Sequence, residues 1–149
     1  MTILEEIVSR MQRYPLAEIH ADASSVTYYP PSADGFMVRL FVDQRWPEER
    51  FRVYYAGCCQ EKANRGGSII NFGFGLSTGC RVREFSRCGV PYRWVTEIEG
   101  FSGWKGYWEE FSSTGPFWQV WRPSQVRVLQ NRVIDLGGCC GGGAACAVA

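Results

Sequence analysis

The sequence predicts an α+β fold, with an N-terminal helix packed on an antiparallel meander sheet. Three observations lead there: one capped amphipathic stretch at the start, a switch to period-two alternation after about residue 25, and breaks rich in Gly, Ser and Pro between the alternating runs. The chain has 149 residues, 46% of them hydrophobic, enough for a single domain with its own core.

Thr2-Ile3-Leu4-Glu5 has the form of a capping box. Ile3, Leu4, Ile7, Val8 and Met11 then fall on one stripe before Pro15 stops the helix. A loop containing His20, Asp22 and Ser24-Ser25 leads to a short strand at Val26–Tyr29. Phe36, Val38, Leu40 and Val42 alternate with Met37, Arg39, Phe41 and Asp43. Residues 45–49 connect this run to Phe51, Val53 and Tyr55, giving a hairpin. Residues 60–67 read as a polar connection. Ser68–Ser77 fits a strand or a buried helix equally, and periodicity does not decide between them. Further strands are expected at Cys80–Arg87, Tyr92–Glu99, Trp104–Phe111, Phe117–Trp121 and Val126–Val133.

One register follows from chemistry. A three-residue loop at Cys88-Gly89-Val90 sets Arg81 opposite Glu97 and Phe85 opposite Arg93, and gathers Cys80, Val82, Tyr92, Trp94 and Ile98 on the other face. A four-residue loop mixes the two faces. In the preferred register Glu84 lies on the apolar face near Trp94.

The composition changes once, at Leu136, where a tail of Gly, Ala and Cys begins. Such residues cannot repay their ordering entropy by packing, so 1–135 is expected to be the domain and 136–149 a disordered tail. Its thiols, Cys139, Cys140 and Cys146, do not have the spacing of a metal motif, and no metal or cofactor is expected.

With 16 Lys+Arg against 15 Asp+Glu, the net charge of +1 lacks the basic field of a nucleic-acid binder, and no apolar run approaches the length of a membrane span. Met1–Pro15 carries Glu5, Glu6, Arg10 and Arg13 and does not have the form of a secretory signal. An odd count of seven cysteines, with vicinal pairs at 58–59 and 139–140, fits free thiols. A cytoplasmic location is the expectation.

The series Phe74-Gly75-Leu76-Ser77, Cys80-Arg81, Pro91-Tyr92-Arg93-Trp94, Trp104, Thr114-Gly115, Phe117-Trp118 and Leu129-Gln130-Asn131 resembles a group of uncharacterised bacterial proteins. The resemblance covers about residues 70–132. It implies a second helix at about 67–77, against the helix-weakening Gly66, Gly67 and Gly73, and it implies no activity.

Several constellations bear on chemistry. Gly73, Gly75 and Gly79 approach the spacing of a phosphate-cradling loop, but the next segment, Cys80–Arg87, alternates like a strand and no P-loop Lys is present. Asn71–Leu76 is a near miss for an RNA-binding strand motif. Arg122, Arg127 and Arg132 form an acid-free run, a small footprint for phosphate contacts. His20 is the sole histidine, the one base available to Cys58, Cys59, Cys80 or Cys88 as a nucleophile; buried structural thiols are the plainer reading. Glu97 and Glu99 share a strand face, Glu109 and Glu110 lie on opposite faces, and Glu84 beside Trp94 is the candidate acid.

The favoured function is a non-catalytic binding or interaction module whose aromatic sheet surface includes some of Trp104, Trp108, Trp118 and Trp121, with Arg122 and Arg127 nearby. The alternative is a small-molecule binder or enzyme with a pocket around Glu84 and Trp94. The third reading is a weak single-stranded nucleic-acid binder. The expected partner is a protein or a small ligand, with self-association admitted and membrane excluded.

Overall fold

A computed structural model describes residues 1–45, 49–62, 64–112 and 121–136. The described residues form two helices and nine strands, the strands arranged in two antiparallel sheets, an α+β fold. Among the described residues no helix is long and apolar enough to cross a membrane.

Helix α1 (Ile3–Met11) starts at the expected capping box: Thr2 accepts from the Glu5 amide, and the Glu5 carboxylate accepts from the Thr2 amide. It buries Ile3, Ile7 and Met11. The first sheet is a meander of β1 (Glu18–Ala21), β2 (Ser25–Tyr29), β3 (Val38–Asp43), β4 (Arg50–Tyr55) and β5 (Cys58–Lys62), in that order. Its inner face carries Val26, Tyr28, Val38, Leu40, Val42, Phe51, Val53, Tyr55 and Cys58. Two strands were not legible. The expected loop around His20 is β1, which pairs Ile19 with Tyr28 and Ala21 with Val26 and partly buries Ile19. The expected connection from residue 60 begins inside β5, where Gln60 is buried opposite Val53.

Helix α2 (Arg65–Gly75) is the element that periodicity left open. Ser68, Phe72, Gly75 and Leu76 are buried at helical spacing, while Ile70 is exposed. The apparent alternation of Ile70 with Phe72 was therefore accidental. The helix tolerates its glycines because two of them sit where a side chain would collide. A Cβ on Gly75 would come within 2.5 Å of the Tyr55 ring, and one on Gly67 within 2.9 Å of Asn64 Oδ1, the cap acceptor of the Gly67 amide.

The second sheet has the order β8-β7-β6-β9, from β6 (Cys80–Arg87), β7 (Val90–Gly100), β8 (Gly103–Phe111) and β9 (Gln125–Leu129). A single meander is thus corrected to two sheets, with β9 crossing to the free side of β6. The expected strand at Phe117–Trp121 falls outside the described residues except for Trp121, which lies in a turn. The β6–β7 register places Arg81 opposite Glu97 and Phe85 opposite Arg93, as expected. The loop itself has two residues, Cys88 and Gly89, both at positive φ, and a register shift at Phe85/Ser86 takes up the third.

Cys80, Val82 and Leu129 join the first sheet's core, and Trp94 lies over the β4–β5 turn, where a Cβ on Gly57 would come within 2.5 Å of its ring. The C-terminal segment closes the fold. Asn131, 2% exposed, accepts from the Phe36 amide at 3.0 Å and donates to the carbonyls of Phe36 at 2.8 Å and Gly75 at 3.0 Å. Val133 and Ile134 donate to the Leu76 carbonyl, and Leu136 N–H donates to Thr78 Oγ1.

Candidate functional site

The residues singled out in the sequence gather on the second sheet, divided between its two sides. On the side facing the first sheet, Glu110, Trp94, Glu84 and Arg127 form one row across all four strands. Trp94 Nε1 donates to Glu84 Oε2 at 3.0 Å, and Arg127 Nη2 lies 2.9 Å from Glu84 Oε1. Both carboxylate oxygens are therefore engaged. A carboxylate held this way serves as a cross-strand tie. Trp108 lies on the same side and donates to Glu110 Oε2 at 3.1 Å.

Trp104 is on the opposite, outward side. Its position and that of Trp108 have the same parity, so an unbroken strand would show both rings on one face. A register shift at Thr96/Glu97 inserts Tyr107 on β8 and turns Trp104 outward, opposite Glu99, where Arg81 lies 4.2 Å over its ring. Trp121 is exposed in a turn, and Trp118 lies outside the described residues. Trp104 and Trp108 accordingly do not share one surface. The three arginines also separate. Arg122 donates to Cys88 Sγ at 3.4 Å, Arg127 pairs with Glu84, and Arg132 lies beyond β9.

The outward face brings together side chains that were not chosen from the sequence. Phe111, Arg93, Phe85 and Val126 form a row across the four strands, with Val95 and Val128 in the next row. Phe111 is 63% exposed, Val126 51% and Val128 48%. Arg93 packs between two rings, 4.6 Å from the Phe85 centroid and 5.6 Å from that of Phe111, and pairs with Glu109. The sequence did hold the signal for this row. Extending the Phe85–Arg93 pair by one strand on each side reaches Phe111 and Val126.

Charge on this face is locally balanced. Glu97, 5% exposed, accepts from Arg81 Nε at 2.6 Å. Arg83 Nε lies 2.8 Å from its other oxygen, close enough for strong Coulomb attraction but outside hydrogen-bond alignment. Arg87 stacks on Tyr92 at 4.3 Å.

The thiols fit structural roles. Burial pushes the Cys58 thiol up to about 11 and the Cys80 thiol up to about 12, so neither is poised as a thiolate near neutrality. His20 is exposed, bonded to Glu18 Oε1 at 2.8 Å and edge-on to Tyr29. Among the described residues no group of three or more His, Cys, Asp or Glu is placed to hold a metal ion.

Compared with protein-family models, curated protein sequences and solved structures, the chain matches none. The motif residues nonetheless have clear physical roles. Gly75 makes room for Tyr55, Leu76 and Cys80 are fully buried, Arg81 binds Glu97, Trp94 binds Glu84, and Asn131 ties three segments together. They read as the framework of the second sheet and its closure.

Proposed function

We propose that the protein is a non-catalytic interaction module, and that its docking surface is the outward face of the second sheet together with the free edge of β9. The observation that carries this reading is the row Phe111–Arg93–Phe85–Val126, exposed at both ends and half-buried at Arg93 and Phe85, and flanked by Val128. Apolar side chains on three of the four strands, with Arg93 packed between two of them, leave solvated hydrophobic surface that a partner removes from water.

The two edges of this sheet differ in a way that points to one of them. Edge strand β8 carries Lys105, Glu109 and Glu110, the charges that discourage further strand pairing. Edge strand β9 carries Arg127 alone, between Val126 and Val128, and alternate N–H and C=O groups along it point away from β6. The partner that suits this surface is a protein segment in extended conformation, adding backbone hydrogen bonds at β9 and setting apolar side chains on the Phe85–Phe111 row. A nucleic-acid strand suits it less well. Arg81 and Arg83 are spent on Glu97, and Arg93 on Glu109, which leaves little charge for phosphates.

The test uses the full chain as bait, beside a Phe111→Ser/Val126→Ser double variant and a Tyr29→Ser variant on the outer face of the first sheet. A defined protein that is retained by the parent and by Tyr29→Ser, and lost with the double variant, supports the reading. Retention that survives the double variant, or retention on single-stranded RNA that falls steeply with salt, contradicts it.

A further inference from the structure

Apart from this surface, the molecule carries a groove of about 890 Å³ between the segment after α1, the β2–β3 loop and the chain following β9. That volume falls in the range that encloses small organic ligands. The body of the groove is apolar and partly aromatic, with Tyr14, Tyr28 and Val133 among its lining residues. Two arginines, Arg13 and Arg132, also line it, against one carboxylate, Asp34.

A polar inventory of the groove narrows what it could hold. The Asn131 side chain is fully occupied by Phe36 and Gly75, and the Gln130 amide donates to the Thr78 carbonyl at 2.7 Å. Both donors of the Asn131 amide are therefore spent within the fold, and one donor of Gln130. Tyr28 is different. Its side chain is 2% exposed, packed in the core, and its hydroxyl has no hydrogen-bond partner among the described residues. The ring is packed in the core while the hydroxyl reaches the solvent in the groove, where it can donate to a ligand's acceptor. Arg132 is exposed and makes no ion pair among the described residues, and its guanidinium has the fork that matches a carboxylate.

We propose that this groove binds a small organic carboxylate with an aromatic or branched-alkyl body, the carboxylate meeting Arg132 and the Tyr28 hydroxyl and the body lying against Tyr14 and Val133. The site is independent of the docking surface on the second sheet, although Val128 borders both.

Titration calorimetry and saturation-transfer NMR with phenylacetate and isovalerate test it, with phenylacetamide as the uncharged match. The expected result is saturable binding of at least one carboxylate below about 1 mM. Binding should weaken about 5-fold in Tyr28→Phe and about 10-fold in Arg132→Gln. It should be unchanged in Arg52→Gln, a charge removed from the outer face of the first sheet. Tyr28→Phe removes one oxygen from a packed ring, and Arg132 is exposed, so at least one of the two variants remains folded and readable. Lack of saturation by both carboxylates, equal binding of the amide, or affinity unmoved in a folded Tyr28→Phe or Arg132→Gln variant would overturn the proposal.

Discussion

Asn131 does with one side chain what a neighbouring strand does with its backbone. Its amide bonds both polar groups of Phe36, 95 residues away in sequence, and reaches the last turn of α2 at Gly75. Asn131→Ala strands a buried N–H and two buried carbonyls, each costing about 1–3 kcal/mol when left unmade, so the loss should be about 3 kcal/mol or more in urea denaturation. A loss below about 1 kcal/mol would mean that those groups find other partners. Nothing in the local sequence around Asn131 announces this role, because all its partners are remote. The Glu84–Trp94 tie was legible for the opposite reason. Strand alternation and one loop length fix which residues face each other, and the pair observed is the pair expected.

Among the elements, the β4–β5 turn shows why local rules did not reveal β5. Two-residue hairpin turns favour Gly where φ is positive, yet here Ala56 takes φ 50° and Gly57 follows it. The glycine is placed for packing, not for backbone freedom, since the Trp94 ring occupies the space its side chain would need. Gly57→Ala should therefore cost about 2 kcal/mol through overpacking. Ala56→Gly should stay within about 0.5 kcal/mol of the parent, strain relief offsetting the extra freedom of the unfolded chain. Chemical denaturation of the two variants measures both, and the reverse order would contradict this assignment. The shift that inserts Tyr107 is a second case. A bulge inverts the face of every later residue on the strand, and one sequence read alone does not mark it. That is why four tryptophans suggested a patch that Trp104 and Trp108 do not form. Helix α2 was legible only through resemblance, because its glycines answer to Tyr55 and Asn64 rather than to helix propensity.

Taken whole, the molecule is a helix-covered meander with a second sheet attached through Trp94, Cys58 and the closing C-terminal segment. Two carboxylates bear on its response to acid. Asp22 caps the β1–β2 turn by accepting from the amides of Ser24 and Ser25 and from both hydroxyls, which lowers its pKa to about 2. Asp43 is held well below the usual carboxylate range by Arg45, with Arg52 adding to the effect. Both folded values lie below the unfolded value near 4, so the stabilisation is complete above that value and is lost as pH falls through the folded pKa. Denaturation midpoints should decline from about pH 4 downward, with a shallower decline in Asp22→Asn. A flat profile between about pH 4 and pH 2 would remove these carboxylates from the stability of the fold.

The overall class, the first helix and most strands could be read from pattern. The division into two sheets could not, because it depends on β6 not pairing with β5 after α2; nor could the place of β9, which crosses from β8 to pair with β6. Among the described residues that crossing leaves β9 at the edge of the second sheet and the outward face uncovered, and the proposed function rests on both. Site-specific photocrosslinking in the producing cell tests it most directly, with a benzophenone side chain placed at position 111 or 126 and at position 29 on the far sheet as reference. The expected result is one discrete protein adduct shared by positions 111 and 126 and absent at 29. Adducts equally frequent at all three positions, or none at 111 and 126, would contradict a docking role for this face.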